Sequence, residues 1–332
     1  MPQKLLTPKL PIVRLSMLAT TALLAIAPLT ATAQQYPSKP VRFIIPFPPG
    51  GPTDIMGRLA ADILAKGTGQ QFVADNRGGA GGNIGAEMCA KAPPDGYTIC
   101  MITAAQGVSP AIYRKMSYDP AKDLATITLM ANLPSMLTVH PALPVKTVKD
   151  LLALAKSKPD ALSYASTGNG SSPHMLMEMF KFMTGTKMVH VPYKGQAPAV
   201  IDQLSGQVQL AFNTAISVMP QVEAGRLRAV AISSKDRFPP MPNLPTVEEG
   251  GVKGFDGGSW QGVGAPAGTP AEIIRRLNTL LVTELKTPAM REQLLKRGGL
   301  VSANSPEEFS AYLKAEIARW TKIARAANIN ID

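Results

Sequence analysis

Two segments carry residue types that hold an anion without a metal. They are Phe47-Pro48-Pro49-Gly50-Gly51-Pro52-Thr53-Asp54 and Ser166-Thr167-Gly168-Asn169-Gly170-Ser171-Ser172-Pro173-His174. Each follows a short apolar run that reads as a strand, over 41–45 and 161–165, and each leads into a helical pattern, over 55–65 and 175–183. A strand, a glycine-rich turn and a helix start together leave backbone N–H groups free at the positive end of a helix dipole. Such a turn binds a carboxylate or phosphate with no catalytic side chain. Two of them, over a hundred residues apart, suggest one ligand gripped from two sides.

In the first segment Gly50 and Gly51 permit positive φ and close backbone approach. Pro52 and Thr53 stand where a helix begins, and Asp54 falls in its first turn, as a ligand contact or as a capping, dipole-compensating carboxylate. The Gly-Lys-Ser/Thr end of a P-loop and the Gly-x-Gly-x-x-Gly of a dinucleotide site are both missing here. In the second segment Ser171 and Ser172 offer hydroxyl and backbone donors, with Pro173 in the first helical turn and His174 at the same mouth. A hydrolase reading would make Ser172 a nucleophile and His174 its base. With no Gly-x-Ser-x-Gly elbow and no evident acidic partner, binding is the better reading; a plain serine-rich helix cap is the blander one. Glycine-rich 76–83 reads as a tightly turned surface loop. The three histidines have no metal-ligand spacing, so no metal and no cofactor is expected. Met175, Met177, Met179 and Met183 read as core. Trp260 suits either a cleft wall or the core.

The elements that must position these loops alternate. Strands are expected over 41–46, 71–74, 97–102, 124–131, 136–139, 208–212 and 227–232. Helices are expected over 55–66, 84–91, 108–113, 148–156 (capped by Thr147), 197–204, 219–224, 271–285, 288–296 and 306–327. That alternation predicts an α/β fold of parallel sheets covered on both faces. Extended stretches near 129–139 and 260–265 suit two chain crossings. The expected organisation is a first domain of 34–133 plus 259–332 and a second of 134–258, with the ligand at the carboxyl ends of the strands between them.

Lys4, Lys9 and Arg14, the apolar stretch 15–29 and Ala31-Thr32-Ala33 compose a secretory signal peptide over 1–33, cleaved before Gln34. The 332-residue chain has a net charge of +11, of which three charges belong to the leader. The excess is spread along the chain with few aromatics nearby, which argues against nucleic acid and suits an anionic ligand or an anionic membrane surface. The two cysteines, Cys89 at a helix end and Cys100 on the next strand, are close enough to bridge in an oxidising compartment; two separate buried thiols are the alternative. No oligomerisation stripe is evident, so a monomer is expected.

Several motifs in this order resemble Bug-type periplasmic solute-binding proteins, the receptors of tripartite tricarboxylate transporters. They are Tyr36-Pro37-Ser38-Lys39-Pro40-Val41-Arg42, the two loops above, Pro94-Asp95-Gly96-Tyr97-Thr98, Val191-Pro192-Tyr193-Lys194-Gly195 and Ala265-Pro266-Ala267-Gly268-Thr269-Pro270. The resemblance spans the chain after the leader. It implies a two-domain, type II-like Venus-flytrap fold, a periplasmic location, a di-, tri- or aromatic carboxylate ligand and a membrane permease as partner. A sensor that presents its solute to a signalling receptor is the alternative. Carried over by position, the ligand would meet Phe47, Pro48, Gly51, Pro52, Thr53 and Asp54 from one side, with Thr103, Ala104 and Gln106. From the other it would meet Ser166, Thr167, Gly168, Ser171, Ser172 and His174, with Tyr193, Gly195 and Asn213. The family often has Asp at the last of these positions; Asn213 implies a ligand without a positive amine.

Overall fold

The computed structural model describes residues 1–4 and 36–331; the signal peptide and its cleavage site lie outside the described residues. Among the described residues no helix is long and apolar enough to cross a membrane.

In chain order the elements are β1 (Val41–Ile45), α1 (Pro52–Thr68), β2 (Phe72–Asn76), α2 (Asn83–Ala90), β3 (Thr98–Thr103), α3 (Ala104–Ile112) and β4 (Leu124–Leu133). Then come β5 (Ser135–Val139), α4 (Val148–Ser157), β6 (Ser163–Ser166), α5 (Ser172–Thr184), β7 (Val189–Pro192), α6 (Gln196–Leu204), β8 (Leu210–Thr214), α7 (Ala215–Glu223) and β9 (Arg228–Ile232). The chain closes with β10 (Ser259–Pro266), α8 (Ala271–Leu285), α9 (Pro288–Lys296), β11 (Leu300–Val301) and α10 (Pro306–Ala326).

These strands build two sheets, ordered β11-β4-β10-β3-β1-β2 and β7-β6-β8-β5-β9. Both are mixed, which corrects the all-parallel expectation. β1 lies parallel to β2 and β3, but β10 runs antiparallel to β3 and β4. In the second sheet β6 is parallel to β7 and β8, whereas β5 is antiparallel to β8 and β9. The reason is topological. β5 continues from β4 after a single residue, Pro134, and β10 returns from the second sheet, so neither has the crossover helix that makes neighbours parallel.

Continuous apolar runs mark strands covered on both faces: Phe43, Ile44 and Ile45 of β1 are fully buried. In the second sheet Phe212 stacks on Phe255 with ring centroids 5.5 Å apart, and Phe180 of α5 meets both edge-on. The same apolar cluster takes in Val108 and Ile112 of α3 and Trp320 and Ala324 of α10, so these helices are packed into the core under the second sheet. Trp260 is a core residue: it packs edge-on against Phe309 and Tyr312, and its Nε1 donates to Glu316. Met175, Met177 and Met179 are buried as expected, whereas Met183 is partly exposed near the end of α5. Cys89 and Cys100 are bonded, with Cα atoms 6.1 Å apart, tying α2 to β3.

Candidate functional site

Five helices begin at one cavity. It is lined by Gly51, Pro52 and Thr53 at the start of α1, by Thr103, Ala104 and Ala105 at α3, and by Ser171, Ser172 and Pro173 at α5. Gly195 and Gln196 come from the start of α6, and Thr214 from α7. Phe47, Pro48, Thr167, Ser259 and Gln261 complete the wall. Four of the five helix starts, all but that of α3, lack a side-chain cap, although the first amide of α7, that of Ala215, donates to the Pro134 carbonyl at 2.9 Å. No Lys, Arg, Asp or Glu lines this cavity. Its positive character therefore comes from peptide dipoles. The space open to water-sized groups is small, about 30 Å³.

A larger outer chamber of about 740 Å³ shares Phe47, Pro48, Thr167 and Gly195 with it. Gly168, Tyr193, Tyr113, Ile331 and the segment Gly78–Gly82, glycine at every position but Ala80, line this chamber. The glycine-rich loop is thus a wall of the site as well as a surface turn. A Cβ on Gly81 would overlap the carbonyl oxygen of Asn169 in the second loop, so only glycine allows the two loops to touch.

Of the residues expected at the ligand, Phe47, Pro48, Gly51, Pro52, Thr53, Thr103, Ala104, Thr167, Ser171, Ser172 and Gly195 line the inner cavity. Gly168 and Tyr193 line the outer chamber, where the Tyr193 hydroxyl donates to Asp202 at 2.7 Å. Asp54, Gln106, Ser166, His174 and Asn213 line neither. Asp54 braces the first loop: it accepts from the Gly50 N–H, from Arg58 and from Asn76, each at 3.0 Å. Burial pushes its carboxyl up, but these bonds outweigh burial and hold it below the usual carboxylate range. Gln106 is the far half of a capping box, its Oε1 accepting from the Thr103 N–H at 2.9 Å. Residues 103–106 are therefore a helix start rather than a loop.

Beneath the second loop the His174 Nδ1 accepts from the Gly170 N–H at 3.1 Å, which fixes the neutral ring with its proton on Nε2. Its ring stacks on His190 at 4.1 Å, and His190 stacks on Tyr164 at 4.9 Å. Burial pushes His174 down to about 4 and His190 down to about 3. Ser166 shares a hydrogen bond with His190 at 2.7 Å. Ser172 donates to the Gly258 carbonyl at 3.0 Å. Its hydroxyl is thus committed to a backbone acceptor and the His174 Nδ1 to a backbone donor, so the two do not form a nucleophile–base pair.

Sequence reasoning missed Gln196, Gln261, Ser259 and Thr214. Gln196 carried a signal, since it recurs with Gln203 at i, i+7 on one face of a nine-residue helix. Both are buried, at 5% and 0% exposure, and a buried glutamine is an informative anomaly.

Two mixed sheets with helices around them, and a cavity ringed by helix starts, define a two-domain solute-binding protein of the periplasmic type. The sequence pattern of the tripartite tricarboxylate transporter family receptors (TctC) matches residues 56–329, and the chain belongs to that family. It is 34% identical to the protein BugT of Bordetella pertussis over 296 residues, covering 89% of this chain and 91% of BugT. An R. palustris protein solved with adipate superposes with a TM-score of 0.86 at 40% identity, over 89% of this chain and 99% of that one. MatC of Rhodopseudomonas palustris, solved with bound malate, superposes with a TM-score of 0.83 at 30% identity, over 87% and 99%.

Proposed function

We propose that this chain is an extracytoplasmic receptor that captures a small carboxylate between two lobes and presents it to a tripartite-type membrane permease, without chemical turnover. The observation that carries this reading is the convergence of five helix starts, four of them uncapped, on a cavity without charged side chains. A carboxylate placed there accepts several oriented amide N–H bonds at the positive ends of helices. The adipate and malate held by the two R. palustris relatives are ligands of this class.

The lobes follow the two sheets, with boundaries near residues 133 and 259, and bend about the Leu133-Pro134-Ser135 crossing and the return into β10. Export through the leader would place the receptor in the periplasm, and it acts as a monomer. Thermal unfolding of the chain from Gln34 onward, screened against di-, tri- and aromatic carboxylates, amino acids and neutral sugars, tests the reading. A ligand that binds only the folded state raises the midpoint by mass action. A rise confined to carboxylates is expected; a rise only with amines or sugars overturns the proposal.

A further inference from the structure

Behind the cavity wall runs a chain of buried amides with a fixed direction. The Gln203 Nε2 donates to the main-chain carbonyl of Thr138 at 3.0 Å, and a carbonyl can only accept. The Gln203 Oε1 then accepts from the Asn213 Nδ2 at 2.6 Å, and Nδ2 also donates to the Thr138 hydroxyl at 2.7 Å. The Asn213 Oδ1 in turn accepts from the Gln196 Nε2 at 2.5 Å. Reversing any one amide would set acceptor against acceptor or donor against donor. Reversing all three would press the Gln203 oxygen against the Thr138 carbonyl. The backbone of β5 therefore dictates, through three side chains, that Gln196, a residue of the cavity wall, gives its amide nitrogen to Asn213 and keeps its carbonyl oxygen out of the chain. That oxygen is buried and has no hydrogen-bond partner among the described residues. The same holds for the Oε1 of Gln261, which also lines the cavity.

We propose that Gln196, locked by Asn213 and Gln203, selects carboxylates that carry a neutral hydrogen-bond donor, a hydroxyl foremost, over their unsubstituted and amino-substituted counterparts. The inference rests on the receptor reading above and assigns its specificity. A ligand methylene at this place leaves a buried carbonyl unpaired, whereas a hydroxyl satisfies it. An ammonium would also donate. No carboxylate lines the cavity to balance it, however, and the surrounding helix starts repel a cation.

Titration calorimetry of the chain from Gln34 onward with succinate, malate and aspartate, and with adipate and 2-hydroxyadipate, tests this. The hydroxy acid is expected to bind about tenfold more tightly than its parent in the chain length that fits, with aspartate weaker than malate. In Gln196→Leu the hydroxyl preference should vanish. In Gln203→Leu it should shrink, because Asn213 and Gln196 are then free to turn over; Gln196→Leu alone decides the outcome if Gln203→Leu fails to fold. Equal affinity for hydroxy acid and parent in the unaltered protein overturns the inference. So does a preference that survives Gln196→Leu, which would mean that water satisfies the oxygen. Either result leaves the receptor reading standing, whereas failure of every carboxylate to bind removes both.

Discussion

His174 holds the second loop as a neutral acceptor, and that sets a pH dependence. The unfolded chain takes up a proton at this ring near its ordinary value of 6.5, the folded chain only near 4. Between those values the unfolded state binds more protons, so stability falls as pH drops, at about 1.4 kcal/mol per unit for this group, and the loss ends below pH 4. His190 adds a loss of the same sign, and Glu178 and Lys181 are the charged groups that face the pair. The melting temperature should therefore decline from pH 7 to pH 5, and His174→Gln should flatten the decline; an unchanged slope would contradict the assignment. At this scale the sequence was legible where backbone rules apply. Gly51, Pro52 and Ser171 stand at the cavity because helix starts need them. Asn213 was misplaced because its part is set by Gln196 and Thr138, partners 17 and 75 residues away, which no local pattern announces.

Among the elements, the helix starts and the loops before them decide whether the site can close. Gly81 meets Asn169 so tightly that Gly81→Ala should prevent the two loops from touching. We expect ligand affinity to fall at least about tenfold while the circular dichroism stays that of the unaltered protein; full affinity would show that the contact is dispensable. The Cys89–Cys100 bond closes a short stretch, 11 residues in separation, and should contribute about 3 kcal/mol. A reductant should therefore lower the melting midpoint, whereas Cys89→Ser should be insensitive to it. Most helices and strands are legible from periodicity. Periodicity starts α3 four residues late, although the Thr103-x-x-Gln106 capping box is there to be read. β7 and β11 escape it because Val189–Pro192 and Leu300–Val301 are short edge strands that are only partly buried, so they show little hydrophobic pattern.

Across the whole molecule the alternation of strands and helices revealed the α/β class but not the direction of β5 and β10, because strand polarity depends on where the chain enters a sheet. Closure around a ligand should appear as a smaller radius of gyration in X-ray scattering, and a carboxylate that binds without compaction would argue against a hinge. The position of β10 has a further consequence, for the order of synthesis. This strand sits between β3 and β4, yet it comes more than 120 residues after β4 in the chain. Until it emerges from the ribosome, two central strands of the first sheet have open edges, and the loop to be closed is long. A chain cut at Gly258 should therefore lack a cooperative melting transition, and a stable truncated fold would show that the first sheet can form alone. The intact chain cannot complete its first sheet until β11, about nine-tenths of the way along, has been translated, a delay that would leave the nascent polypeptide pliable during the export proposed above.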